Sequence, residues 1–241
     1  MLVAYKMVTS MAIMTKKNLF ILNRKSATRP DLREIVKPLQ RELGLEVVVP
    51  WSRKQLRKLV RKAVANGATR IIAGGGDGTL NKVSNAIISL GGSSDIPLGL
   101  VPLGTANDFA RSYNEDGSDL AGSIRRAVTG QAFPIDVGCV NGKYFVNVAS
   151  GGFGAMITAT TPQEVKRRLG GLAYTLSGLT RISELEPVLA RIAFDGGPTS
   201  EISISALVIA NNRFAGGGFD VAPAADVTDG LLDIGVISSN G

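Results

Sequence analysis

The sequence predicts an α/β protein in which a helix-wound parallel sheet is followed by an antiparallel, β-rich region. Three observations carry this. From Asn18 onward, short β-branched runs alternate with amphipathic helical segments, the pattern of βαβ units around a parallel sheet. Two strand ends run straight into glycine-containing loops at 74–78 and 102–111. Beyond Phe133 the texture changes to strands linked largely without helices, which marks a second domain of antiparallel type.

Taken in order, Leu19–Leu22 reads as a buried strand, NRKSATRP as a loop, 31–43 as a helix and Glu46–Val49 as the second strand. The segment from Ser52 to Asn66 is helical and closes at Gly67, and Arg70–Ala73 is the third strand. Leu80, Val83, Ile87 and Ile88 then recur at helical spacing and predict a helix packed on the sheet, with a further strand over Ile96–Leu103. Phe133–Val137, Tyr144–Val148, Val188–Phe194 and Glu201–Ala210 read as strands of the second domain. The expected divisions are a leader at 1–17, an α/β domain at 18–132 and a β-rich domain at 133–241. The leader resembles no signal peptide, because Lys6 splits its apolar part and lysines follow it; it reads as disordered or as an overlong start.

A chain of 241 residues, 44% of them hydrophobic, can bury one large core or two modest ones. Its 29 glycines and 10 prolines are dispersed, which fits a globular protein with many tight turns rather than a disordered one. The lone Cys139 has no disulfide partner, and without histidine it has no metal or nucleophile partner either, so a reducing, cytoplasmic setting is expected. The absence of histidine also leaves proton transfer to carboxylates, a demand that phosphoryl transfer tolerates. A net charge of +7 favours an anionic partner: nucleic acid, a membrane surface or a phosphorylated substrate. No apolar run approaches the length of a spanning helix.

The strongest local signal is IIAGGGDGTLN at 71–81, a buried strand entering three glycines, an aspartate and a helix start. Glycines let the chain turn with N–H groups outward, and the helix adds its positive end; together they favour phosphate oxygens. The spacing is neither that of a P-loop nor GxGxxG. Asp77 there either coordinates Mg²⁺ or orients an attacking hydroxyl, or else only braces the turn. Thr79 is expected to cap the helix, which puts Lys82 where a capping box would have an acid. A cation in the first turn costs ~0.3–1 kcal/mol unless it faces a bound phosphate. The second loop, PLGTANDFAR at 102–111, follows a strand end on the same side of the sheet, so both loops converge on one crevice. Thr105 and Asn107 offer neutral polar contacts, and Asp108 can accept a bond from water, metal or backbone.

Between 53 and 62, Arg53, Lys54, Arg57, Lys58, Arg61 and Lys62 recur opposite Leu56, Leu59, Val60 and Ala63. This is a basic amphipathic helix. It either meets an anionic leaflet, at about 1 kcal/mol per cation, or is a solvated face packed on the sheet through its leucines.

GGGDGTLN followed by PLGTANDFAR resembles the diacylglycerol kinase catalytic-domain family. FILNRKS at 20–26, FVNVASGGFG at 145–154, FAGGGF at 214–219 and APAADVTDGLLDI at 222–234 are similar in order and spacing to its bacterial lipid kinases of the YegS type. The resemblance covers roughly 19–238 and implies a Rossmann-like α/β domain followed by an antiparallel β-sandwich, with ATP in the cleft and a lipid hydroxyl as acceptor. Carried over, the nucleotide site comprises Pro50, Gly75, Gly76, Asp77, Gly78, Thr79, Leu80, Asn81 and Thr105, with Asp77 the catalytic candidate. Pro50 stands where the family often has a nucleotide-contacting threonine. The resemblance also implies a Mg²⁺ site in which Asp229 gives a carboxylate and Asp226 and Leu231 give main-chain oxygens, whereas TDG alone reads as a plain turn.

The implied partners are a glycerolipid, diacylglycerol or phosphatidylglycerol, at the inner face of the membrane, and no nucleic acid; oligomeric state stays open, a homodimer included. The chain ends at Gly241, short of the DGE-type acidic motif that supplies the family's general base, so missing sandwich strands, exposed apolar edges and poor stability are expected. Two other readings remain: an NAD kinase, which shares a GGDGT loop, and a nucleotide- or lipid-binding fragment without turnover.

Overall fold

The computed structural model describes residues 17–91, 96–152 and 186–238. The first half is built on a parallel sheet of β1 (Lys17–Leu22), β2 (Leu45–Val48), β3 (Ala68–Gly75) and β4 (Leu98–Pro102) in the order β2-β1-β3-β4. Alternation along β1 decides the layering. Phe20 and Leu22 face α2 (Pro30–Glu42) and α6 (Leu120–Thr129), where they meet Leu32, Val36, Leu39 and Ile124. Leu19 and Ile21 face the opposite layer, α3 (Arg53–Ala65) and α4 (Asp77–Ile88), where they meet Leu56, Val60, Ala63 and Val83. Burial on both faces is why these strands read as continuous apolar runs.

Local chemistry sets the boundaries. Ser52 caps α3 by accepting the Gln55 N–H at 3.1 Å, and Gly67, at φ 76°, reverses the chain after it. The segment expected as a loop after β1 contains a short helix, α1 (Arg24–Ala27), because Asn23 Oδ1 accepts the Ser26 N–H at 2.8 Å. The strand β1 begins at Lys17, inside the expected leader, since Lys17 pairs with Ala68; the rest of the leader lies outside the described residues.

The second half is antiparallel, as expected. β9 (Ser200–Ala210) is its axis: β12 (Asp233–Ser238) pairs along one edge, while β7 (Val148–Gly152) and β8 (Val188–Ile192) share the other. Two hairpins complete the described part, β5 (Gly138–Val140) with β6 (Lys143–Phe145), and β10 (Phe214–Ala215) with β11 (Phe219–Asp220). Val188, Leu189, Phe194, Ile234 and Ile237 are exposed on this half.

Two expected strands differ. Phe133–Val137 joins no sheet. Pro134 has no N–H to give a ladder, and Asp136 bonds elsewhere, donating its N–H to the Val227 carbonyl at 2.6 Å and accepting the Gly230 N–H on Oδ2 at 2.7 Å. The run Tyr144–Val148 is divided between β6 and β7 at Val146 and Asn147, the place where the Asn147 carbonyl turns aside to accept the N–H groups of Asn211 and Asn212.

Strand β4 packs so tightly on α6 that a Cβ at Gly99 would collide with the Ala127 carbonyl. Replacing Gly99 by Ala should therefore destabilise the chain by about 1–3 kcal/mol, read as a lower urea midpoint with an unchanged slope.

Candidate functional site

The chain crosses from one side of β1 to the other between β2 and β3, so the carboxyl ends of β1 and β3 bound the crevice at which open α/β sheets bind ligands. The glycine loop lies there. Gly74 packs against the Phe20 and Leu22 side chains, and a Cβ on Gly75 would come within 2.6 Å of the Asn23 amide and of Thr79 Cβ. Gly76 is the N-cap of α4 and offers no side chain. Its carbonyl takes the N–H groups of Thr79 and Leu80, at 2.8 and 3.1 Å, while those of Asp77 and Gly78 have no carbonyl a turn earlier in the helix to bond. Those two N–H groups and the helix dipole form the anion-favouring end of α4.

Thr79 therefore sits three residues inside the helix rather than capping it, with its hydroxyl 3.5 Å from the Asn23 amide. The expected start fell too late because glycine, which carries no capping oxygen, ends the strand turn. Lys82 shifts accordingly into the second turn. It lines a cavity of about 370 Å³ with Asn23, Arg24, Pro50, Trp51 and Thr79, and Arg53 completes a lining that holds three cations and no acid.

The second loop meets the first back to back: a Cβ on Gly76 would lie 3.0 Å from the Gly104 Cα. Asn107, at φ 53°, pins this turn by accepting the Gly104 N–H at 2.9 Å and donating to its carbonyl at 3.1 Å. Thr105 lies on the far side of that contact, in a separate cavity of about 410 Å³ with Arg111 and Asn114. Pro50 and Thr79 thus share one cavity and Thr105 lines another. Leu80 is buried against the sheet, and the Asn81 side chain accepts from Asn85, which bridges to the Tyr144 backbone.

Asp77 Oδ1 accepts the Phe109 N–H at 3.0 Å and the Asn147 amide at 2.9 Å, so it links both loops and the second half of the chain. Asp108, 4% exposed, does the same more deeply. Its carboxylate accepts the N–H groups of Gly217 (3.0 and 3.1 Å to its two oxygens) and Gly218 (2.6 Å). Both glycines have φ near +100°, a backbone state closed to most side chains, which turns successive N–H groups toward one anion. Asn212 adds bonds to the Asp108 carbonyl, at 3.4 Å, and from the Ser112 hydroxyl, at 2.7 Å. Burial raises the Asp108 pKa above the usual carboxylate range, with the Asp77 charge adding to it and the two glycine N–H groups opposing. Of the partners Asp108 could have taken, the backbone is the one it has.

Around the loop at 226–231, Asp226 Oδ1 accepts both the N–H and the hydroxyl of Thr228, which lower its pKa, and Asp229 Oδ1 accepts the Leu231 N–H at 2.9 Å. Among the described residues the Asp226 carbonyl receives only a long bond, 3.5 Å, from the Asp229 N–H. Among the described residues no cluster of three or more acidic, histidine or cysteine side chains is placed to hold a metal. The oxygen donors expected here, one carboxylate and two main-chain carbonyls, suit a hard cation without such a cluster. Tyr113 feels this loop: its pKa is raised by burial and then by the Asp226 charge.

Sequence reasoning missed Asn147, Asn211, Asn212 and the grip of FAGGGF on Asp108. The available signal was three asparagines inside otherwise apolar strand ends, FVNVA and VIANN.

The sequence matches the diacylglycerol kinase catalytic domain over residues 17–140 and the YegS C-terminal NAD kinase beta sandwich-like domain over 147–241. It is 43% identical over 224 residues to a Pseudomonas aeruginosa protein named "Probable lipid kinase YegS-like", covering 92% of this chain and 72% of that protein. A Klebsiella pneumoniae protein of the same name is 41% identical over 225 residues, with 92% and 74% covered. The fold superposes on the crystal structure of a diacylglycerol kinase from Bacillus anthracis with a TM-score of 0.74 at 28% identity, over 94% of this chain and 75% of that one. Fold and matches together define an enzyme of the lipid kinase class. The chain belongs to the diacylglycerol kinase catalytic-domain family.

Replacing Asp108 by Ala leaves the Gly217 and Gly218 N–H groups buried without an acceptor, which should cost about 1–3 kcal/mol in denaturant unfolding. Because burial raises its pKa, the Asp108 contribution is greatest below the ordinary value near 3.8 and is lost as pH rises through the native value. Measured against Asp108→Asn, which cannot ionise, the unaltered chain should lose relative stability across that rise.

Proposed function

We propose that this protein transfers the terminal phosphoryl group of ATP to a hydroxyl of a glycerolipid, diacylglycerol or phosphatidylglycerol. The observation that carries the reading is the glycine turn at the sheet's switch point, whose helix presents N–H groups with no partner among the described residues beside a cavity lined by Arg24, Arg53 and Lys82. Phosphoryl transfer asks mainly for positioning and charge neutralisation, and those groups supply both. The turn at Gly75 and Gly76, the N–H groups of Asp77 and Gly78 and the Thr79 hydroxyl form the phosphate end, Leu80 and Asn81 belong to the helix that carries it, and Lys82 offsets the charge of the tail. Thr105 lies across the Gly76–Gly104 contact, where the acceptor side of the nucleotide would end. Pro50 offers neither hydroxyl nor N–H, so its part is contact alone.

Asp77 is the catalytic candidate. One of its oxygens is committed to Phe109 and Asn147, which fixes the carboxylate in the crevice between the two loops. Asp229, with the main-chain oxygens of Asp226 and Leu231, would hold Mg²⁺. That ion supplies neutralisation of phosphate charge when bound.

The six cations of α3 are exposed, and none forms an ion pair with a described residue. They give the protein a peripheral contact with an anionic leaflet from the cytoplasmic side. Among the described residues no helix is long and apolar enough to cross a membrane.

Radiolabelled ATP offered with diacylglycerol, phosphatidylglycerol and NAD separates the readings. Label should enter a glycerolipid, and Asp77→Ala should lower the rate about a hundredfold or more while Mg·ATP binding persists. Label in NAD alone would replace the lipid reading, and nucleotide binding without transfer would favour a binding role. Cosedimentation with phosphatidylglycerol vesicles should fall at least about tenfold in the paired variant Arg57→Glu, Lys58→Glu and weaken with salt; binding that survives it removes the helix from the membrane contact.

A further inference from the structure

Trp51 is the single tryptophan of the chain and is 68% exposed. It follows the carboxyl end of β2, the sheet end that carries the glycine loop, and it lines the cationic cavity with Thr79 and Lys82. Its backbone is held on both sides. The Trp51 N–H donates to Gln55 Oε1 at 2.6 Å, and its carbonyl accepts from the Arg24 guanidinium at 2.8 Å. The same guanidinium lies 4.9 Å from the centre of the indole, within cation–π range. A large aromatic surface left open to solvent, yet anchored by its main chain and by a stacked cation, is arranged to receive another flat ring.

We propose that Trp51 is the platform on which the nucleotide's purine base stacks, with Arg24 as the residue that positions the indole. This rests on the nucleotide reading above and adds to it the base-recognition element and its selectivity. With the base on Trp51, the cavity runs on to Thr79 and Lys82, so the phosphate tail reaches the start of α4 without leaving the cationic lining. Pro50 fixes the backbone just before the platform. Stacking depends on ring area rather than on hydrogen bonds to base edges, so the site favours purines over pyrimidines and separates adenine from guanine poorly.

A different occupant competes for the same residue. Trp51 adjoins the cations of α3, and an exposed tryptophan beside basic residues also suits a bilayer interface. The shared lining with Thr79 and Lys82 and the cover given by Arg24 favour the base.

The emission of the lone tryptophan reads this directly in the full chain. Mg·ATP and Mg·GTP should quench it, Mg·CTP less, and tripolyphosphate hardly at all. By calorimetry, Trp51→Leu should weaken Mg·ATP about tenfold, and Trp51→Phe should restore affinity to within about threefold of the unaltered chain. Arg24→Gln should reduce the quenching more than it reduces tripolyphosphate binding. Unchanged Mg·ATP affinity in Trp51→Leu, or equal quenching by tripolyphosphate, overturns the platform and leaves the kinase reading standing. A blue shift with phosphatidylglycerol vesicles that Mg·ATP does not alter assigns Trp51 to the bilayer and overturns it as well. No Mg·ATP binding by the unaltered chain sinks both readings together. Trp51 is surface-exposed, so equal melting temperatures are expected and keep the variants comparable.

Discussion

A buried carboxylate holds the two halves of this molecule together. Asp108 stands at the start of the helical turn α5 (Asp108–Arg111), yet its oxygens are spent on Gly217 and Gly218, more than a hundred residues away. Removing a carboxylate from water is costly, and the cost is offset in part by two backbone N–H groups, at 2.6 to 3.1 Å, that only left-handed glycines can aim together. Asp77 repeats the arrangement in shallower form, through Phe109 and Asn147. Since Asp77 also opens α4, the crevice at the ends of β1 and β3 and the junction between the halves are a single structure.

Charge is divided in the same way. The acids that matter lie along the junction, at Asp77, Asp108 and Asp136, each bonded to backbone N–H groups. Cations that pair with no described acid gather on the other side of the glycine loop, around Arg24, Arg53 and Lys82 and along α3. The cations on the β2 side of the crevice favour an incoming polyanion there, while the separate cavity after β4 includes the acids Glu115 and Asp116 in its lining.

Much of the fold was legible because the sheet is buried on both faces, so the strands Leu19–Leu22 and Arg70–Ala73 announce themselves as apolar runs. The glycine loop was legible for a similar reason: three consecutive glycines before Asp77 have few uses other than a close turn. What failed was decided at long range. Phe133–Val137 has strand composition, but its backbone partners lie in the loop at 227–230, and no local pattern reports that. Thr79 looked like a cap because threonine commonly is one; the helix begins earlier because Gly76 already provides the turn. Asn147, Asn211 and Asn212 passed unnoticed inside apolar strand ends, and only the assembled junction shows that each closes a bond between segments far apart in sequence.

The antiparallel half has one more consequence in its wiring. Among the described strands, β7, β8 and β12 find their ladder partners only in β9, so Ser200–Ala210 acts as a hub rather than as one rung among equals. Transient release of that single strand would free three others at once. Their amides should consequently exchange with solvent as one cooperative block, giving this region a common opening free energy instead of a gradient from edge to centre.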